Sequence, residues 1–145
     1  MDHLALASSV VPGDCSAETD SERKSCTCES GVVIDVSEER FEQLVSDALD
    51  SLPAEFARRV ENVAVVIEDG TAESGLLGLY QGIPLTKRTL GYSGVAPDRI
   101  TIFRLPILAR STTESQVQEQ VRRTVLHEIG HYFGIDDRRL RELGW

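Results

Sequence analysis

Two stretches of the chain show the apolar spacing of amphipathic helices. Ser37-Glu38-Glu39 is typical of a helix start, with a capping serine followed by acids in the first turn. The apolar residues that follow recur at intervals of three and four, which predicts one buried helical face: Phe41, Leu44, Val45, Ala48, Leu49 and Leu52. Pro53 either ends this helix or begins a second short one. A longer helix is predicted from Thr112-Thr113-Glu114 to a stop at Gly134, because apolar residues recur every four positions: Val117, Val121, Val125 and Ile129.

Between these helices lie three short runs that predict β-strands. Residues 63–67 are closed by a turn at 68–70, and residues 76–80 are bounded by glycines. Residues 99–105 give the most regular β-branched alternation, which Pro106 is expected to end. Residues 81–98 are rich in Gly and Pro and are predicted to be mostly loop, and residues 137–143 suggest a last short helix. This order of elements predicts a small α+β layer structure.

The composition changes near residue 31, so a polar tail is predicted before the folded domain. Residues 1–30 are rich in Ser, Asp, Glu and Thr, too polar to offset their ordering entropy, and are expected to be disordered. The domain is predicted at 31–145. The tail holds Cys15, Cys26 and Cys28, which are interpreted as incidental reduced thiols because the odd count opposes a disulfide framework. Asp2 stands where a signal peptide carries positive charge, so a cytoplasmic location is expected.

The net charge and the lack of long apolar runs argue against two classes of partner, nucleic acids and membranes. The 145 residues include 15 basic and 24 acidic side chains, a formal net charge of −9, which disfavours a nucleic-acid partner. No apolar run approaches the roughly 20 residues that span a bilayer, so no membrane partner is expected. The arginine pairs at 58–59, 122–123 and 138–139 are interpreted as solvated charges. The sequence does not indicate an oligomeric state.

Candidate chemistry is concentrated in His127-Glu128-Ile129-Gly130-His131. Residues four apart on a helix share one face, so both imidazoles can reach one point, as the first two ligands of tetrahedral zinc must. Glu128 is rotated by about 100° from His127 around the helix axis. It can therefore address a metal-bound water without being a ligand, which is the general-base position of HExxH metalloproteases.

A third ligand is expected after the turn that Gly134 introduces. A glycine in the left-handed conformation can end the helix and return the backbone toward the metal, so that position 136 or 137 can reach it. Both positions are aspartate, and His3, the remaining histidine, lies in the tail. The third ligand is therefore predicted to be a carboxylate, with Asp137 preferred over Asp136.

The segment TVLHEIGHYFGIDDRRLRELGW, residues 124–145, resembles the small bacterial zincin-like metallopeptidases, whose pattern is HExxHxxGxxD. LLGLYQG at 76–82 and PLT at 84–86 resemble their central strand and loop. The resemblance covers residues from about 33 onward. It implies an α+β minimal zincin-like domain, with a small mixed sheet packed on helices that include the metal-binding helix. It also implies Zn²⁺ at His127, His131 and Asp137, with Glu128 as the catalytic residue.

The predicted function is a zinc-dependent metallopeptidase that acts on a peptide or protein substrate. Candidate oxyanion donors are Tyr80, Tyr92 and Tyr132, and residues 100–105 are a candidate edge strand for an extended peptide. One alternative is a metal-dependent ribonuclease with H-x₃-H-x₅-H spacing, although its third position here is Asp137. A second alternative is a non-catalytic, zinc-stabilised interaction module, in which Glu128 has no role.

Overall fold

The computed structural model describes residues 34–91 and 96–145. The domain boundary predicted near residue 31, the three cysteines and Tyr92 lie outside these ranges. Within them the chain forms the following elements, in order: α1 (Glu38–Asp50), α2 (Ala54–Ala57), β1 (Val63–Glu68), β2 (Gly78–Gln81), a 3-10 turn (Leu85–Lys87), β3 (Asp98–Phe103), α3 (Arg104–Ala109), α4 (Glu114–Tyr132) and α5 (Asp137–Leu143).

The two long helices begin where their capping residues predict. The Ser37 side chain accepts a hydrogen bond from the Arg40 N–H at the start of α1, and Thr113 does the same for Gln116 at the start of α4. Their predicted apolar faces are buried and α1 packs against α4, which also contacts β2, β3 and α3. No helix in the described ranges is long and apolar enough to cross a membrane.

The three strands form one small mixed sheet in the order β1-β3-β2. β1 runs parallel to β3, and β2 runs antiparallel to it. Ile100 and Ile102 of β3 are fully buried, and α4 packs against both β2 and β3. This arrangement confirms the predicted α+β class and the small mixed sheet packed on helices.

The prediction that residues 100–105 form an edge strand was wrong. β3 is the central strand and is hydrogen-bonded on both sides, by β1 and by β2. Three consecutive residues, Ile100, Thr101 and Ile102, are buried, a pattern typical of a strand covered on both faces. The edges of the described sheet belong to β1 and β2.

The expected end of this strand at Pro106 was also wrong. β3 ends at Phe103, and the chain passes directly into α3, which the sequence analysis missed. Pro106 is the third residue of α3, within the first turn, where backbone N–H groups have no partner inside the helix. The proline is therefore compatible with the helix, and six residues are too few to show a helical period.

Candidate metal centre

The candidate metal centre begins where α4 ends. Gly134 has a φ of +78°, the left-handed conformation that the sequence predicts there. The Gly134 N–H donates to the His131 carbonyl oxygen at 2.9 Å, and the Ile135 N–H donates to the Gly130 carbonyl oxygen at 3.0 Å. These two bonds form a Schellman motif, which satisfies the last carbonyl groups of α4 and reverses the chain.

The reversed chain then packs tightly against the helix it has left. Leu140 of α5 is fully buried and lies over Gly130, where an added Cβ would be 2.2 Å from a Leu140 methyl carbon. Any larger residue at position 130 would therefore force the Leu140 side chain out of its present place. Because α5 begins at Asp137, this close contact between helices returns the Asp137 side chain to the face of α4 that carries the two histidines.

Three predicted donors meet at this point. Oδ1 of Asp137 lies 3.3 Å from Nε2 of His127 and 3.2 Å from Nε2 of His131. The three ligand atoms lie within 4.8 Å of one another. A tetrahedral zinc with ligand bonds near 2.0 Å separates its donor atoms by about 3.3 Å. The separations of Asp137 Oδ1 from the two imidazole nitrogens therefore suit zinc, and no other His, Cys, Asp or Glu of the described ranges joins the group.

The two neighbouring aspartates have different surroundings. Asp136 precedes α5 as its N-cap, and its Oδ1 accepts a hydrogen bond from the Arg139 N–H at 2.9 Å. Asp137 instead faces the imidazoles, with about two-thirds of its side chain exposed. The geometry thus groups the preferred residue, Asp137, with the histidines and gives Asp136 a capping contact.

Glu128 lies beside this group but is buried between α4 and β2, with 7% of its surface exposed. Burial raises the pKa of its carboxyl above the usual range, and the nearby Asp137 adds to this rise. His131, His127 and a hydrogen bond from the Tyr80 backbone N–H act in the opposite direction. Glu128 is thus a carboxyl group with an elevated pKa next to the candidate ligands.

A cavity of about 390 Å³ opens beside Glu128. Residues 76–78 line it from the side of β2, and five residues between Gln120 and Glu128 line it from α4. Trp145 also lines it, with its ring packed edge-to-face against Phe56 at 5.2 Å. The volume is within the range of small-molecule and peptide side-chain pockets. Sequence analysis missed Arg123 and Trp145 as lining residues, because neither belongs to a recognisable motif.

The two described tyrosines proposed as oxyanion donors have other partners. The Tyr132 hydroxyl is fully buried, accepts from the Glu61 N–H and donates to the carbonyl oxygens of Arg59 and Glu61, all at 3.1–3.2 Å. The Tyr80 hydroxyl donates to Oδ2 of Asp98 at 2.9 Å. Burial, followed by the Asp98 carboxylate, raises the Tyr80 pKa well above its ordinary value. Both hydroxyls are therefore committed to structural hydrogen bonds.

Comparison with known proteins identifies the family. Residues 60–145 match the family model of zincin-like metallopeptidases, and this segment contains the sheet, α4 and α5. No curated protein matches the chain. Because the match covers more than half of the chain, the protein belongs to the zincin-like metallopeptidase family.

Proposed function

We propose that this zincin-like metallopeptidase hydrolyses peptide bonds with one zinc ion held by His127, His131 and Asp137. The observation that carries the proposal is the convergence of these three side chains next to the buried carboxyl group of Glu128. Oδ1 of Asp137 lies 3.2–3.3 Å from the Nε2 atom of each histidine. Three protein ligands leave one position of a tetrahedral zinc for water or substrate, which is the arrangement of catalytic zinc sites.

Zinc, when bound, lowers the pKa of a coordinated water toward about 7 and polarises the carbonyl group of the substrate. Glu128 accepts the proton of the attacking water and then donates it to the nitrogen of the leaving amine. Burial, which raises the pKa of the Glu128 carboxyl, makes it a stronger base for the first of these transfers. Burial against β2 also holds the carboxyl group in one position, since an added Cβ at Gly78 would lie 2.9 Å from Glu128 Cγ.

The substrate approaches along β2. This strand is an edge of the described sheet, and the cavity next to Glu128 begins at its first residue, Gly78. An exposed edge offers backbone N–H and C=O groups that can pair with an extended peptide. Leu76 and Leu79 are partly exposed at this edge and supply apolar contact surface. This role replaces the one that the sequence analysis gave to residues 100–105.

The two alternative functions account for fewer of these features. A structural zinc site normally closes all four positions with protein ligands, and within the described ranges the candidate group contains three donors. The ribonuclease alternative expects a histidine where Asp137 stands. Neither alternative gives a role to a buried carboxyl group next to the ligands.

The experiment that tests the proposal compares the parent protein with Glu128→Gln, both loaded with zinc. Glutamine keeps the size and hydrogen-bonding ability of glutamate but cannot take up a proton at neutral pH. We expect the variant to bind zinc with the parent's stoichiometry. Its turnover of any peptide that the parent cleaves should fall by roughly 10² to 10⁴, the usual contribution of a positioned general base.

Cleavage is measured by mass spectrometry on an unstructured casein digest, with a chelator-treated parent as the metal-free control. Retention of full peptidase activity by Glu128→Gln, together with its loss on chelation, would show that another group transfers the proton. A zinc-loaded parent that cleaves nothing in this mixture would contradict the peptidase proposal itself.

A further inference from the structure

The cavity next to Glu128 contains a positive charge that has no partner within the described ranges. Arg123 lines the cavity, and no ion pair or hydrogen bond joins its guanidinium group to another described residue. Arg123 directly precedes Thr124 and lies one helical turn before His127, and all three residues line the cavity. Arg123 is exposed, and it gives this side of the cavity a positive charge in a chain whose formal net charge is −9.

The neighbouring arginine shows that the position of Arg123 is particular. Arg122 lies on a different face of α4, where its guanidinium group is 3.9 Å from the carboxylate of Glu119, three residues earlier. Arg123 shares a face with Gln120 and His127, because these residues are spaced by three and four along the helix, and all of them line the cavity. The sequence analysis treated both arginines alike, as solvated charges. In the structure only Arg123 of the two lines the cavity.

The distance between Arg123 and the candidate metal site indicates which part of a bound peptide Arg123 could contact. Arg123 precedes His127 by four residues, which corresponds to about 6 Å along the helix axis. An extended peptide advances by about 3.3 Å per residue. For a peptide that runs along α4, a group that contacts Arg123 would lie about two residues from the scissile bond, on the side toward the N-terminal half of α4.

We propose that Arg123 is a specificity-determining residue that binds a carboxylate of the peptide substrate, about two residues from the bond that is cleaved. The guanidinium group can form two parallel hydrogen bonds with a carboxylate, and such charge-assisted bonds are the stronger ones. Two sources offer this group: the side chain of Asp or Glu, and the C-terminal carboxylate of a short peptide. The inference rests on the proposed peptidase function, and the test keeps the two separable.

Trp145 provides a direct readout of occupancy. It is the only tryptophan of the chain, and it lines the same cavity as Arg123. A peptide without tryptophan that enters the cavity is expected to change the Trp145 fluorescence. Binding can therefore be measured without turnover.

The experiment uses the zinc-loaded full chain carrying Glu128→Gln and three tryptophan-free peptides of equal length. The first is blocked at both ends with a central glutamine, the second has glutamate there, and the third is the first with a free C-terminal carboxylate. Each is titrated against proteins that carry Arg123, Arg123→Lys, Arg123→Gln or Arg122→Gln. The last is the matched control, since Arg122 is the adjacent cation on the same helix but does not line the cavity.

We expect a carboxylate peptide to bind roughly tenfold more tightly than the neutral peptide, close to the lower end of what hydrogen bonds between charged groups contribute. The preference should disappear in Arg123→Gln, persist in Arg122→Gln and be partly kept in Arg123→Lys. A preference for the second peptide would identify a side-chain carboxylate as the bound group, and a preference for the third would identify the C-terminal carboxylate. A preference that survives in Arg123→Gln, equal binding of all three peptides, or no binding at all would each overturn the inference.

Parallel incubation of the three peptides with protein that retains Glu128 separates this result from the proposed function. Cleavage without a carboxylate preference would overturn the role of Arg123 and leave the peptidase proposal intact. Carboxylate binding that depends on Arg123, without cleavage of any peptide, would support the carboxylate-binding role of Arg123 and contradict the peptidase proposal.

Discussion

Two polar clusters lie near the C-terminal end of α4, and they differ in how completely their groups are paired. The closed cluster consists of Asp98, Tyr80, Arg88 and the Ile83 N–H. Asp98 is 3% exposed, and it accepts hydrogen bonds from the other three members. The open cluster consists of His127, His131 and Asp137, whose side chains are between 31% and 63% exposed.

Adjacent residues of α4 belong to the two different clusters. Tyr132 directly follows His131, yet its ring packs under the Arg88 guanidinium group at 5.0 Å and so belongs to the side of the closed cluster. In the closed cluster, the charges of Arg88 and Asp98 pair with each other. These contacts hold the loop after β2 against the sheet. In the open cluster, two imidazoles share one carboxylate oxygen and remain accessible to a ligand. Polar contacts alone therefore indicate function poorly. A group of ligand side chains that meet and remain exposed to solvent indicates it better.

The largest expected effect is on stability, from Asp98→Ala in the closed cluster. Removing one partner of a buried ion pair leaves the other charge uncompensated, so the free energy of unfolding should fall by about 3–5 kcal/mol. Urea unfolding followed by circular dichroism measures this. Asp69→Ala is the control, because Asp69 pairs with Arg104 at 2.9 Å but is 66% exposed, and should cost at most about 1 kcal/mol. Equal losses in both variants would mean that the closed cluster has no special structural role.

The next effect concerns the open cluster, where His131→Ala should reduce the stabilisation by zinc but not the stability of the zinc-free protein. Without zinc, the unfolding free energy should change by no more than about 0.5 kcal/mol, as is usual for an accessible side chain. With free zinc at 100 times its dissociation constant, the parent should gain about 2.7 kcal/mol, while the variant gains far less. Chelated and zinc-loaded samples of each protein are unfolded in parallel. Equal stabilisation of parent and variant would place the metal elsewhere in the chain.

A smaller effect distinguishes the two neighbouring aspartates. Asp136→Ala removes the N-cap of α5 and should lower the unfolding free energy by about 1 kcal/mol in zinc-free protein. Asp137→Ala should lower it less, because Asp137 makes no capping bond to α5. The reverse order in zinc-free urea unfolding would show that the Asp137 contacts with the histidines stabilise the fold more than the cap does.

The sequence predicted the candidate site better than its surroundings because the site is local. Its members lie between residues 127 and 137, where helical spacing and one glycine turn determine which side chains can meet. The face of α1 was predictable for the same reason. The central place of β3, the partners of Asp98 and the exposure of Arg123 to the cavity depend on segments far apart in sequence. A pattern within one segment carries no information on those neighbours, and α3 was too short to produce a pattern.

Zinc titration of the parent, Asp137→Ala and Asp136→Ala against a competing chelator tests the central claim most directly. The parent and Asp136→Ala should each bind one zinc per chain, with affinities that agree within a few-fold. Loss of a residue that only supports a ligand usually costs 10–100-fold in metal affinity, so loss of Asp137 should cost about 100-fold or more. Parent-like zinc affinity in Asp137→Ala, or a larger loss in Asp136→Ala, would contradict the account.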